Sequence, residues 1–177
     1  MKIACLGWGS LIWKPEALPL ESEWHPDGPM MPVEFSRIGD GGELATAICM
    51  GAPLVQACWA ILATESIELA VAALREREGI PAKREDGVGM LMAQRRSHSK
   101  LAEWASEREI DALIWTALPP RFAGVEGLIP SSEDALEYLR SLEGEKRAHA
   151  FDYIRQVPAQ LDTPYRRAFH QHLDLHA

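Results

Sequence analysis

Between residues 33 and 63 the chain sets down three strand-like runs with no room between them for a crossover helix. Residues 33–37 alternate apolar and polar side chains, and Gly39-Asp40-Gly41-Gly42 supplies a turn. Residues 44–50 (Leu-Ala-Thr-Ala-Ile-Cys-Met) and 55–63 (Val-Gln-Ala-Cys-Trp-Ala-Ile-Leu-Ala) follow, divided by Gly51-Ala52-Pro53. Parallel neighbours need a long connection, so this spacing predicts antiparallel pairing and excludes a doubly wound sheet. The expected fold class is α+β, a small mixed, mainly antiparallel sheet with flanking helices.

At 177 residues and 47% hydrophobic content, the chain is long enough for one domain, residues 1–177, with a substantial core. It holds no internal repeat, no low-complexity tract and no apolar run of membrane-spanning length. The first residues lack the pattern of a secretory signal. Cys5, Cys49 and Cys58 lie in apolar surroundings without metal-ligand spacing, which predicts buried thiols in a reducing cytoplasm. A formal net charge of −8 argues against a phosphate-backbone partner. The basic pairs Arg95-Arg96 and Arg166-Arg167 read as solvated faces. The expectation is a cytoplasmic protein without a nucleic-acid or membrane partner; the sequence leaves its oligomeric state open.

A short apolar run, Ile3-Ala4-Cys5-Leu6, predicts a buried opening strand that breaks at Gly7. Gly7-Trp8-Gly9-Ser10-Leu11 then reads in two ways. It is a glycine-punctuated turn, or a loop whose successive N–H groups converge on an anion. Residues 13–31, rich in proline and acidic side chains, predict a surface loop in which His25 is exposed.

Thr64 is the expected N-cap of a helix with Glu65 in its first turn and Ile67, Ala70, Val71 and Leu74 facing the core. Gly79 and Pro81 end it. At about 100° per residue, Glu78 falls on the apolar stripe and Glu76 nearly opposite. At a helix end such a carboxylate reaches water or pairs with Arg75 or Arg77, or else it is tuned for general acid–base work. Helical phase leaves both readings standing.

Further along, residues 88–95 predict a strand, a short helix surrounds Leu101, Trp104 and Ala105, and residues 110–118 form a central strand. Residues 121–130 read as a loop without secondary structure. Three helices close the chain. The first starts at Ser131 with Asp134 completing a capping box, exposes an apolar face to the core through Ala135, Leu136, Leu139 and Leu142, and ends at Gly144. The second covers 145–157 and stops at Pro158. The third starts at Thr163-Pro164 with Tyr165, Phe169 and Leu173 inward. His149, His170, His172 and His176 lack a ligand set, so no metal site is expected.

Taken together, Gly7-Trp8-Gly9-Ser10-Leu11-Ile12-Trp13 and Leu74-Arg75-Glu76-Arg77-Glu78 resemble the gamma-glutamylcyclotransferase superfamily, most closely its ChaC-like, glutathione-degrading branch. Phe35-Ser36-Arg37, Cys58-Trp59-Ala60 and Asp162-Thr163-Pro164-Tyr165 are similar to further segments of that family. The resemblance covers residues 1–80 in good order and is faint over 81–160. Trp8 stands where the family has tyrosine, Gly79-Ile80-Pro81 where the ChaC branch has Gly-Gly-Tyr, and the proline-rich loop is poorly matched.

The resemblance implies a barrel-like sheet and an intramolecular aminolysis, in which the α-amino group of a γ-glutamyl compound attacks its own γ-carbonyl and 5-oxoproline leaves. It assigns proton transfer to Glu78, substrate binding to Gly7, Trp8, Gly9, Ser10 and Leu11, and pocket walls to Arg37 and Tyr165. It calls for no cofactor and no metal. The alternatives are an amide-cleaving or other acyl-transfer enzyme on the same fold, and a non-catalytic protein that keeps the loop as an anion pocket. A structural corollary is that Glu78 lies in a cavity alongside Gly9-Ser10 while Glu76 faces solvent.

Overall fold

The computed structural model describes residues 1–93 and 99–177. The chain is α+β, with five helices among the described residues and two curled, mostly antiparallel sheets, one of them a half-barrel. Its segments divide into two compact units: Met1–Gly7, Lys14–Met30 and Gln56–Leu118 in the first, and Trp8–Trp13, Met31–Val55 and Pro119–Ala177 in the second.

The first unit is built on β1 (Ile3–Gly7), every residue of which is buried. Both faces are covered, which is why its sequence is a continuous apolar run rather than an alternating one. Antiparallel β5 (Cys58–Ile61) pairs on one side and parallel β7 (Ala112–Thr116) on the other, with β6 (Val88–Met92) antiparallel beyond β7. The predicted 110–118 strand is thus internal, between β1 and β6. The predicted 88–95 strand ends at Met92; its last two positions, and the Arg95-Arg96 pair, lie outside the described residues.

Helix α1 (Ile67–Glu78) packs on β7 and β6 through Ala70 and Leu74, while α2 (Lys100–Glu107) buries Ala102 and Ala105. The N-cap of α1 is Ser66, whose side chain accepts from Leu69 N; Thr64 instead accepts from Ser66 N at 3.2 Å. The helix therefore starts two residues later than its sequence suggests, with Glu68 as its first-turn carboxylate.

The proline-rich segment is a strap rather than a free loop. It forms bridges Leu20↔Leu62 and His25↔Trp59, and Gly28 N donates to Ala57 O at 2.9 Å, so it lines the edge of β5. His25 is half-buried against Trp59, ring centroids 4.5 Å apart, and not an exposed loop residue. Trp59 in turn meets Trp104 edge-on, and the Arg108 guanidinium lies 4.4 Å over the Trp104 ring. Such contacts add to the strap's backbone bonds along residues 57–63, among them Glu21 N to Ile61 O at 2.8 Å and His25 N to Trp59 O at 2.7 Å.

In the second unit β2 (Met30–Ile38) is central, paired antiparallel with β3 (Leu44–Ile48) and bent by a register shift between Phe35 and Arg37. The apolar run read as one strand over 55–63 is two. β4 (Leu54–Gln56) pairs with β2, and β5 belongs to the other sheet. The break falls at Ala57, whose N–H and C=O both bond the strap, at Pro29 O and Gly28 N. Residues 121–130 are not structureless either: β8 (Arg121–Phe122) and β9 (Val125–Glu126) form a hairpin, and β8 joins β2 at Arg37↔Arg121. Ala123 and Gly124 both take positive φ there, as a tight two-residue hairpin turn demands.

Helices α3 (Ser132–Ser141), α4 (Gly144–Gln156) and α5 (Pro164–His172) complete this unit. The Ser131–Asp134 capping box is present, but α3 stops at Leu142, and Gly144 opens α4 instead of ending α3. Phe35 and Phe169 pack edge-on, centroids 5.6 Å apart, at the centre of the core. Leu173 and Tyr165 are only half-buried; the side chain that turns inward from α5 beside Phe169 is Arg166.

Candidate functional site

The candidate residues divide between the units, Gly7 and Glu78 in the first and Trp8, Gly9, Ser10, Leu11, Arg37 and Tyr165 in the second.

In the first unit, α1 ends at Glu78 because Gly79 takes a left-handed conformation (φ 66°, ψ 29°), and its N–H bonds back to Arg75 O and Glu76 O. Glu76 is exposed, as phase predicts, whereas the Glu78 side chain retains 16% of its exposure. Arg77 Nη1 donates to Glu78 Oε1 at 3.2 Å, and Arg77 Nε and Nη2 donate to Lys14 O at 3.1 and 2.8 Å. Arg75 takes no part in this pair. Its guanidinium reaches the carbonyls of Pro81, Arg84 and Asp86, pinning the turn after the helix. The pairing alternative raised by the sequence is thus realised, through Arg77.

The fully buried Cys5 thiol of β1 feels the same carboxylate. Burial pushes its ionisation up, the Glu78 charge adds to that, and Arg77 opposes it. Cys58 is pushed up to about 11 by burial alone. With Cys49 also buried and raised, all three thiols are free and protonated at neutral pH.

In the second unit, residues Trp8–Trp13 form a turn closed by Ile12 N donating to Gly9 O at 3.0 Å. Trp8, Gly9 and Leu11 are buried, Ser10 half-buried. Two side chains unnoticed in the sequence hold this turn. Thr46 Oγ1 donates to Trp8 O at 2.9 Å, and the Tyr153 hydroxyl lies 3.0 Å from Thr46 Oγ1 while accepting from Thr46 N at 3.1 Å. The Tyr153 ring also meets Trp13 edge-on at 5.3 Å. A Cβ on Gly9 would come within 2.6 Å of both Thr46 Oγ1 and the Tyr153 hydroxyl. Glycine is required at position 9 by close approach. Tyr153 was hidden because an aromatic at an apolar helical position reads as ordinary core.

Arg37 donates to Pro119 O at 2.9 Å and to Glu126 Oε2 at 3.1 Å, which ties β2 to the 119–126 hairpin. The Tyr165 hydroxyl donates to Pro130 O at 2.6 Å. Both side chains therefore have backbone partners in their own unit.

Next to Tyr165 lies a carboxylate that no pattern in the sequence singles out. Glu34, 3% exposed, accepts from Phe35 N at 2.9 Å and Tyr165 N at 3.3 Å. Burial raises its pKa despite these bonds and one from the Thr163 side chain. Asp162-Thr163-Pro164-Tyr165 is thereby the N-terminus of α5, with Thr163 accepting from Arg166 N at 3.1 Å and Glu34 supplying a second acceptor.

Among the described residues, no group of three or more His, Cys, Asp or Glu side chains could hold a metal, and no helix is long and apolar enough to cross a membrane. A cleft of about 610 Å³ in the first unit is lined by Lys2, Glu21, Thr64, Glu65 and Asp111 among others, and Glu78 does not line it. When the chain is compared with known proteins, no family model matches it and no curated protein or solved structure is significantly similar.

Proposed function

We propose that this chain is a gamma-glutamylcyclotransferase-like enzyme that releases 5-oxoproline from a γ-glutamyl compound such as glutathione or a γ-glutamyl peptide or amine. The observation that carries the reading is Glu78, a carboxylate held mostly out of water at the capped end of α1 while its neighbour Glu76 is solvated. In this reading Glu78 accepts the proton of the substrate's α-ammonium, freeing the amine to attack the γ-carbonyl. It then returns that proton to the leaving nitrogen. The N–H groups of Gly9, Ser10 and Leu11 hold the α-carboxylate or the developing oxyanion. Nucleophile and electrophile belong to one molecule, so the five-membered ring closes without a second substrate.

A second reading is favoured by the Arg77–Glu78 contact, since an ion pair at 3.2 Å also suits a structural carboxylate in a protein that binds small anions without turning them over. Incubation with glutathione, γ-glutamyl amino acids and γ-glutamylamines, followed by quantifying 5-oxoproline, separates the two. Release from any one of them supports the enzyme. Release of the amine with free glutamate points to a hydrolase, and silence on the whole panel leaves the binding protein.

A further inference from the structure

Resting on the reading of Glu78 as the proton-transfer group, we propose that Arg77 is its positioning residue: it fixes the carboxylate in place and holds it in the base form that must meet the substrate's ammonium. Residues one apart on a helix point about 100° away from each other and do not ordinarily pair. Here they do. The guanidinium is brought round because its Nε and Nη2 are both fastened to Lys14 O, at 3.1 and 2.8 Å, which leaves Nη1 directed at Glu78 Oε1, 3.2 Å away. Two bonds to one carbonyl fix the plane of the guanidinium, and a flexible ammonium could not reproduce that geometry. The Arg77 side chain is only 11% exposed, so its charge acts on Glu78 with little screening by water.

Several described groups in this unit are neutral or have contacts of their own. Cys5, facing from β1, stays protonated. Strands β6 and β7, against which α1 packs, carry no titratable side chain. The Lys14 ammonium pairs with Glu16 at 3.7 Å, Arg75 is committed to the carbonyls of the 81–86 turn, and Arg84 pairs with Asp86 at 2.7 Å. Arg77 is thus a cation held against the carboxylate within this unit, through a contact whose loss has a defined electrostatic sign.

The test compares wild type with Arg77→Gln and Arg77→Lys by two readouts. One is the pH profile of kcat/KM for 5-oxoproline release; the other is the titration of Glu78 itself, followed by carbon NMR of ¹³Cδ-labelled glutamate. Arg77→Gln removes the charge, so both the acid limb and the titration midpoint move up by about one pH unit. Arg77→Lys keeps a charge but loses the anchor. Its midpoint stays near that of wild type while kcat falls roughly tenfold to a hundredfold at unchanged KM. Should Arg77→Gln fold poorly, the Lys variant still decides, because wild-type kcat in that protein overturns the positioning role. An unmoved Glu78 midpoint in Arg77→Gln overturns the electrostatic one. If no γ-glutamyl compound is turned over but the midpoint moves, the cyclotransferase reading fails while the control of Glu78 by Arg77 stands.

Discussion

At the scale of single residues, two positions carry consequences that their identities alone conceal. Gly9 is wedged against two hydroxyls that are already hydrogen-bonded to each other, that of Thr46 also to Trp8 O and that of Tyr153 also to Thr46 N, so neither can retreat without breaking a bond. Gly9→Ala should cost about 1–3 kcal/mol in urea unfolding, the usual penalty for overpacking. In a Tyr153→Phe background one of the two clashes is gone, so the added cost of Gly9→Ala should shrink; strict additivity would show that the hydroxyl is not what excludes a side chain. The sequence singles out Gly9 as part of an anion-binding loop, whereas the close approach that requires glycine there is not legible, since nothing within the sequence announces that Thr46 and Tyr153, 107 positions apart, converge on it.

Glu34 is the second such position, invisible as an acidic residue in an alternating strand. Its folded-state pKa lies above the unfolded one, so the folded protein binds this proton more tightly. The contribution of this group to stability is therefore greatest below the unfolded value of about 4.3, falls as pH rises through the folded value, and is level above it. Glu34→Gln should flatten that part of the urea midpoint's dependence on pH between about 4 and 7. A Gln variant with the wild-type slope across that window would contradict the assignment.

At the scale of elements, periodicity located what repeats and missed what is held by partners far along the chain. Helices α1, α3, α4 and α5 were legible from spacing, caps and prolines, to within two residues at most ends. The split of residues 55–63 into β4 and β5 was not, because Ala57 looks like any other apolar strand residue and the strap that claims its backbone lies nearly thirty residues away. Strands of two residues such as β8 and β9 have no period to detect.

The sequence places Arg166 with Arg167 on a solvated face, yet Arg166 is 7% exposed and donates to Ile154 O, Val157 O, Pro158 O and Leu161 O, closing the C-terminal end of α4. Arg167 alone fits the solvated description, beside Asp162 at 3.3 Å. Helix ends need such partners for their last carbonyls. Arg166→Met should lower stability by about 2–3 kcal/mol, and Arg166→Lys should restore only part of it, because one ammonium cannot span four acceptors. Equal stability of the Lys variant and wild type would mean that charge, not the guanidinium fork, satisfies α4.

At the scale of the whole molecule, the α+β class followed from the close succession of strands, and the absence of a doubly wound sheet follows from the same spacing. What could not be read was the division of the strands between two sheets, since β1 and the Trp8–Trp13 turn are continuous in sequence yet fall in different units. The functional proposal rests on one carboxylate that helical phase sets on the apolar stripe and that the fold keeps mostly out of water beside Arg77. Its decisive measurement is 5-oxoproline release from a panel of γ-glutamyl compounds by wild type and by Glu78→Gln, at equal and verified folded concentration. Turnover by wild type with a loss of at least about a hundredfold in Glu78→Gln is the predicted result. Turnover that survives the substitution unchanged would contradict the role given to Glu78.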